Sequence, residues 1–456
     1  LHSDTHSFPT RRSSDLFEGK VHSLEQLRKQ WEEEEENLVP YSEELSAYGG
    51  YLGERLDATG FFRVEMVDGK WWFVDPDGYL FLSTGVNGIR PGGGGGVSEA
   101  EGLENVFKVF PPKEENGSYM SFGEWNLLRR YGLDWRDEWV GLTLRRMDAW
   151  GINTGSVDRE KMPFLAFASP RGIPLVAGLQ DIYIPDYEER VEQSIMNSVE
   201  RHRNNPWLIG YFLQNEPSWL FQEDRVCDLI LDGEDVPLRK ALQEFLSEGD
   251  TPERRLEFIH ATFRRHIETV TRYLRKHDPN HLSLGIRFGH SGVPHENILS
   301  ICRDLFDVFS FNTYRIRPNM EYVNEIAART GLPMILGEFH FGTIDRGMAP
   351  GLVQVKNQQE RAVAYRYFVE NAFAHPSLIG ISWFQYTDQG MIGRRDGERY
   401  NIGIIDVTDR PYPIVEGMIE AAANARTVHK GLQEPFSTLP EGLQGNEDDL
   451  VSRSQQ

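Results

Sequence analysis

Eight short apolar runs, most of them preceded by a helix-like segment, predict an α/β fold: a (β/α)8 TIM barrel with an N-terminal β-hairpin and helical extension. Three observations carry the prediction. The runs are apolar throughout rather than alternating, as strands of a parallel sheet buried on both faces must be. Eight of them in series fit a closed barrel better than an open sheet. The 456 residues exceed an ordinary single domain but suit one large barrel with loop insertions.

The elements follow in chain order. The first Met is Met66, and residues 8–16 (FPTRRSSDL) read as a translated adapter oligonucleotide, so residues 1–16 are set aside as non-native. Residues 17–59 form a helical extension whose run Glu32 to Glu36 is read as a solvated face or linker. From Gly60 the pattern alternates around Asp68-Gly69 and Asp77-Gly78, the signature of β-hairpins. Gly92 to Gly96 lack the Lys-Ser/Thr of a phosphate cradle and read as a flexible loop. The strand candidates are FLSTGVNGI (81–89), NTGSV (153–157), IPLVAGL (173–179), LIGYFLQNEP (208–217), HLSLGIRF (281–288), FDVFSFNTY (306–314), PMILGEFH (333–340) and LIGISWFQY (378–386). The barrel thus spans 60–428, and 429–456 reads as a flexible tail.

Composition narrows the function. Hydrophobic residues at 39% and aromatics at 12% supply a core, so the chain is globular. A net charge of −22 opposes nucleic acid and anionic lipid, and no apolar run reaches the 18 or more residues a membrane span requires. Cys227 and Cys302, the two cysteines, have no metal-like spacing and read as buried thiols. His340 with His290 lacks a third ligand, so no metal or cofactor is expected. No feature of the sequence indicates an oligomeric state.

In a barrel of this kind the active site lies at the carboxyl ends of the strands. Two carboxylates stand there: Glu216 in Asn215-Glu216-Pro217 ends the fourth candidate, and Glu338 in Gly337-Glu338-Phe339-His340 ends the seventh. Two facing carboxyl groups about 5 to 5.5 Å apart are what retaining glycoside hydrolysis uses, one as acid and one as nucleophile. A lone strand-end Glu is more simply a capping or ion-paired group; two with these neighbours favour catalysis.

The motifs resemble those of the clan A glycoside hydrolases, and more closely the family 50 β-agarases. The resemblance rests on WWFVDPDGYLFLSTGVNGIRP, WNLLRRYG (125–132), RRMDAWGINT (145–154), GEFHFGTIDRG (337–347) and SWFQYTDQGMIGRRDGERYNIGIID (382–406), and runs from about Gly60 to Ala425. Gln214-Asn215-Glu216-Pro217 departs from the Asp-Asn-Glu of many family members, and the family's large amino-terminal accessory domain is not in the sequence. By position, the resemblance implies Glu216 as general acid/base and Glu338 as nucleophile. It further implies Asn215 donating to the sugar 2-hydroxyl, Tyr314 hydrogen-bonding Glu338, Trp383 stacking on a sugar face, and Arg90 placing a positive charge near the nucleophile. His340, Gln385 and Asn87 complete the substrate-binding candidates; His340 and Gln385, like His290, Asp388 and Asn401, have loop hydrogen bonding as their simpler reading. Arg394-Arg395 reads as a solvated loop. The expected substrate is a galactan-type polysaccharide or its oligosaccharides, and the expected location secreted or periplasmic. Two alternatives stand beside this: a β-galactosidase- or β-mannanase-like enzyme of the same clan, and a catalytically silent carbohydrate-binding barrel.

Overall fold

The computed structural model describes residues 20–41, 44–92, 102, 104–106, 109–114, 117–289, 292–390, 393–394 and 396–442. It is a mixed α/β fold built on parallel strands, entered through a helix and an antiparallel sheet. The helix Leu24–Asn37 is capped by Ser23, whose hydroxyl accepts from the Gln26 amide, and it buries Leu27 and Trp31. The run Glu32 to Glu36 is not simply solvated: Glu34 pairs with Arg146 at 2.7 Å and Glu35 with Arg130 at 2.7 Å. Arg146 is wholly buried and also reaches Asp409 at 2.9 Å, so a buried ion network fastens this helix to the rest of the molecule. An acidic run conceals such docking, because pairing depends on partners 95 and 112 positions away.

The antiparallel sheet runs Tyr51–Arg55, Tyr79–Phe81, Lys70–Val74, Arg63–Val67 in spatial order. Asp68 and Gly69 both take positive φ between two of these strands, as the tight hairpin turn of that sequence requires.

The parallel strands fall in two groups. Gln214–Asn215, Ile286–Gly289, Phe309–Asn312, Met334–Phe339, Leu378–Trp383 and Ser83–Val86 are hydrogen-bonded in that order, and so are Leu282–Ser283, Leu208–Phe212 and Phe164–Phe167. The chain passes from one group to the other twice, through Leu213 and through Leu284-Gly285, where the Leu213 amide donates to the Gly285 carbonyl at 2.8 Å. At the other edge, the Val86 amide donates to the Thr154 carbonyl at 3.1 Å and the Gly155 amide to the Pro163 carbonyl at 2.8 Å, just ahead of Phe164. Met334–Phe339 and Leu378–Trp383 are buried at every position, consistent with sequences that are apolar except for Glu338 and Ser382.

Two strand expectations are not met in full: of residues 153–157 only Thr154 pairs, through a single parallel bridge to Gly85. Residues 173–179 do not join the parallel strands; Leu175–Val176 and Leu179–Gln180 form a small antiparallel hairpin around Ala177 and Gly178, both at positive φ, with Leu175 64% exposed. Phe164–Phe167 pairs with Leu208–Phe212 instead. Its four residues lie close behind residues 153–157 with no helix between, so it escaped a search for helix-then-strand units. Nor is the carboxyl-terminal segment loose from residue 429 onward. The Phe436 amide donates to Glu370 at 2.7 Å and the Glu441 amide to Glu360 at 2.6 Å, holding residues 430–442 against the helix Gln358–Phe373. Residues 1–16, Gly93 to Gly96 and 443–456 lie outside the described residues. Among the described residues, no helix is long and apolar enough to cross a membrane.

Candidate active site

Glu216 and Glu338 stand at the carboxyl ends of two strands of one parallel sheet, with Ile286–Gly289 and Phe309–Asn312 between them. Asn312 joins them: it pairs in register with Glu338, while its Nδ2 donates to Glu216 Oε1 at 2.8 Å and to Asn215 Oδ1 at 3.2 Å. Glu338 is buried, 8% exposed. Its carboxylate accepts from the Tyr314 hydroxyl at 2.5 Å and pairs with Arg287 at 3.0 Å. Burial pushes the Glu338 carboxyl above the usual range, the Arg287 charge and the Tyr314 hydrogen bond hold it down, and the nearby charge of Glu216 pushes it up again. Burial and the Glu338 charge drive Tyr314 well above the ordinary tyrosine range, so its phenol stays protonated and remains a donor. Glycine at 337 is required for this packing, since a Cβ there would meet Arg287 Cδ at 2.5 Å and Asn312 Oδ1 at 2.8 Å.

Glu216 itself is exposed and sits at φ 42, the left-handed region that side chains with a Cβ rarely enter. It is also followed by Pro217, and the residue ahead of a proline normally stays extended. A hydrogen bond from its amide to the Arg287 carbonyl at 2.8 Å holds the turn. Strained non-glycine residues of this kind collect at functional sites.

The other sequence candidates separate into two groups. Asn215 is exposed beside Glu216, and Asn87 is half-buried with its amide donating to the Gly337 carbonyl at 2.8 Å, so it braces the segment carrying Glu338. Trp383 corrects the expectation of a sugar-stacking face: it is wholly buried against Phe339 and Tyr365, with its indole N–H donating to the carbonyls of Gln385 and Ile402. Phe384, half-buried next in sequence, is the more open aromatic at that strand end. His340 is 1% exposed, accepts from the Leu352 amide at 2.9 Å, and lies with its ring 4.6 Å from that of Tyr314. Burial lowers its pKa to about 3, so it is a neutral buttress behind Tyr314 rather than a sugar contact. Gln385 is 6% exposed and donates to the Thr387 carbonyl at 3.0 Å, so its amide also serves the loop. Asp388, pushed up to about 6 by burial, accepts from Asn401 at 2.8 Å and Tyr412 at 2.7 Å, which fits the simpler reading of both. Arg90 is exposed, and the cation beside Glu338 is Arg287. His290 and Arg395 lie outside the described residues.

Arg287 and Asn312 were the residues sequence reasoning missed. Each carried a signal: a charge in HLSLGIRF and an amide in FDVFSFNTY stand inside otherwise apolar strands, where an unpartnered polar group is costly. Among the described residues, no group of His, Cys, Asp or Glu is arranged to hold a metal ion. Cys227 and Cys302 are buried free thiols, the first pushed up to about 12 by burial.

No family model matches the chain. It is similar to β-agarase B and β-agarase A of Vibrio sp. (strain JT0107), at 29% and 28% identity over 81% and 88% of its length, and it spans about half the length of each, 49%. Among solved structures it superposes on an agarase, AgWH50C, with TM-score 0.80 and 28% identity, covering 91% of this chain and 71% of that one. An exo-β-agarase gives TM-score 0.79 and 26% identity, covering 91% and 72%. In sequence and in fold, across most of its length, the chain is therefore similar to proteins named as β-agarases, as its motifs predicted.

Proposed function

We propose that this chain is a retaining glycoside hydrolase that cleaves β-glycosidic bonds of a galactan-type polysaccharide or its oligosaccharides, on a (β/α)8 barrel. One observation carries the reading. A buried carboxylate held by a phenol and a guanidinium is linked to a second, exposed carboxylate of the same parallel sheet through Asn312, which pairs in register with the first and donates its amide to the second. The barrel reading is supported by the backbone hydrogen bonds linking residues 83–86, 153–155, 163–167, 208–215, 282–289, 309–312, 334–339 and 378–383 in turn.

Glu338, kept ionised by Arg287 and Tyr314, attacks the anomeric carbon while Glu216 gives its proton to the departing glycosidic oxygen; the carbon–oxygen bond to the leaving group breaks and a glycosyl ester forms. Glu216, now a carboxylate, takes a proton from water. That water attacks the same carbon, the ester breaks, and the configuration is retained. Asn215 donates to the 2-hydroxyl, a bond that strengthens as positive charge grows on the sugar ring. No metal or cofactor enters. A polymeric substrate cannot cross a membrane intact, so a secreted or periplasmic location follows from the same reading.

The test is a product assay with purified protein against agarose, neoagaro-oligosaccharides, porphyran, β-galactan and β-mannan, read by mass spectrometry. Neoagarobiose release supports the agarase-like assignment. Products from another glycan alone keep the mechanism and change the substrate, and silence on all of them, with intact binding, favours a carbohydrate-binding barrel.

A further inference from the structure

Phe167 is a large aromatic ring left 46% exposed at the carboxyl end of the strand Phe164–Phe167. Its surroundings fix where that exposed surface lies. The Arg287 guanidinium carbon sits 4.9 Å from the ring centroid, and the ring of Phe212, its partner in register, lies 5.4 Å away. Arg287 is itself only 7% exposed, with its guanidinium on Glu338 at 3.0 Å and on the Gly337 carbonyl at 3.4 Å. Phe167 is therefore one side chain away from Glu338, on the side of the sheet that carries the site. Phe212 and Arg287 cover part of the ring, and the rest of its surface is exposed at the carboxyl end of its strand.

We infer that Phe167 is a stacking platform for a neutral sugar ring bound next to the Glu216–Glu338 pair, a role that rests on the glycosidase reading. The chemistry fits. An aromatic face attracts the apolar C–H surface of a pyranose without requiring charge, and a chain of net charge −22 has every reason to recognise a neutral polymer this way. The guanidinium against the ring also makes Phe167 a support for Arg287, so binding of a sugar and orientation of Glu338 meet in one contact.

The experiment measures binding and turnover separately. Calorimetry with an agarose hexasaccharide is run in the inactive Glu338→Gln background, with and without Phe167→Ala, Phe167→Leu and Phe167→Trp, after matching unfolding midpoints and circular dichroism. Hydrolysis of the same hexasaccharide is followed with Glu338 intact. Loss of one stacked ring weakens binding about tenfold in Phe167→Ala and Phe167→Leu, raising KM more than it lowers kcat, while Phe167→Trp stays within about threefold. Leucine binding as well as phenylalanine would overturn the inference, because packing bulk alone would then suffice. If the parent hydrolyses the sugar and Phe167→Ala binds normally, the platform falls and the glycosidase reading stands. If no hydrolysis occurs but binding drops in Phe167→Ala, the platform stands and the enzyme reading falls. Absence of both binding and hydrolysis overturns both.

Discussion

Replacing Tyr314 by phenylalanine removes one hydroxyl and leaves the ring packed beside His340, so its effect reports on the bond to Glu338 alone. That bond, 2.5 Å from phenol to carboxylate, favours the ionised form of Glu338 against burial, which favours the protonated form. A hydrogen bond to a charged group is worth about 1.5–3 kcal/mol. Without it the Glu338 carboxyl climbs further above its usual range. The sign is set by what the proposed nucleophile must be. Less of Glu338 is ionised at a given acidic pH, so the acid limb of kcat/KM moves to higher pH, while the alkaline limb, set by the proposed proton donor, stays. A profile of kcat/KM across about pH 4 to 9, with an oligosaccharide substrate, reads both limbs. An acid limb that stays in place or moves down would refute the argument that Tyr314 holds the charge on Glu338.

Three further outcomes are expected. Glu338→Gln lowers turnover by at least about a thousandfold with an unchanged circular dichroism spectrum; activity close to the parent would sink the nucleophile assignment. Glu216→Ala hydrolyses slowly, recovers on substrates with a good leaving group, and with azide gives a β-glycosyl azide, whereas an α-azide seen by proton NMR would reverse the two roles. Arg146→Ala strips the buried partner from Glu34 and Asp409 and destabilises the fold by about 3–5 kcal/mol, measured as a lower urea midpoint. An unmoved midpoint would mean that the amino-terminal helix docks without this network.

Much of the site was legible because a strand ending in a carboxylate leaves a local trace. Glu216, Glu338 and Tyr314 each close an apolar run, and Tyr314 does donate to Glu338 as proposed. What stayed hidden was reach. Trp383 and His340 hold the right positions along the chain, but burial decides whether a side chain meets solvent, and that depends on Phe339, Tyr365 and residues of distant loops. Arg287 was overlooked because its partner Glu338 lies far along the chain, and Arg90 took its place on proximity to a strand end alone. Phe164–Phe167 was lost for a different reason: four apolar residues without a helix ahead of them weigh less than the seven of residues 173–179, although it is the shorter run that finds parallel neighbours.

The left-handed turn at Glu216 sets heat tolerance against chemistry at a single position. Holding a residue with a Cβ there costs about 1–2 kcal/mol that glycine would not incur. A laboratory selection that rewarded survival on heating and ignored turnover would therefore drift toward glycine at 216, giving a hardier protein without its proposed proton donor. Stabilising substitutions for this fold are better sought away from that turn, where the strain it carries can remain in place.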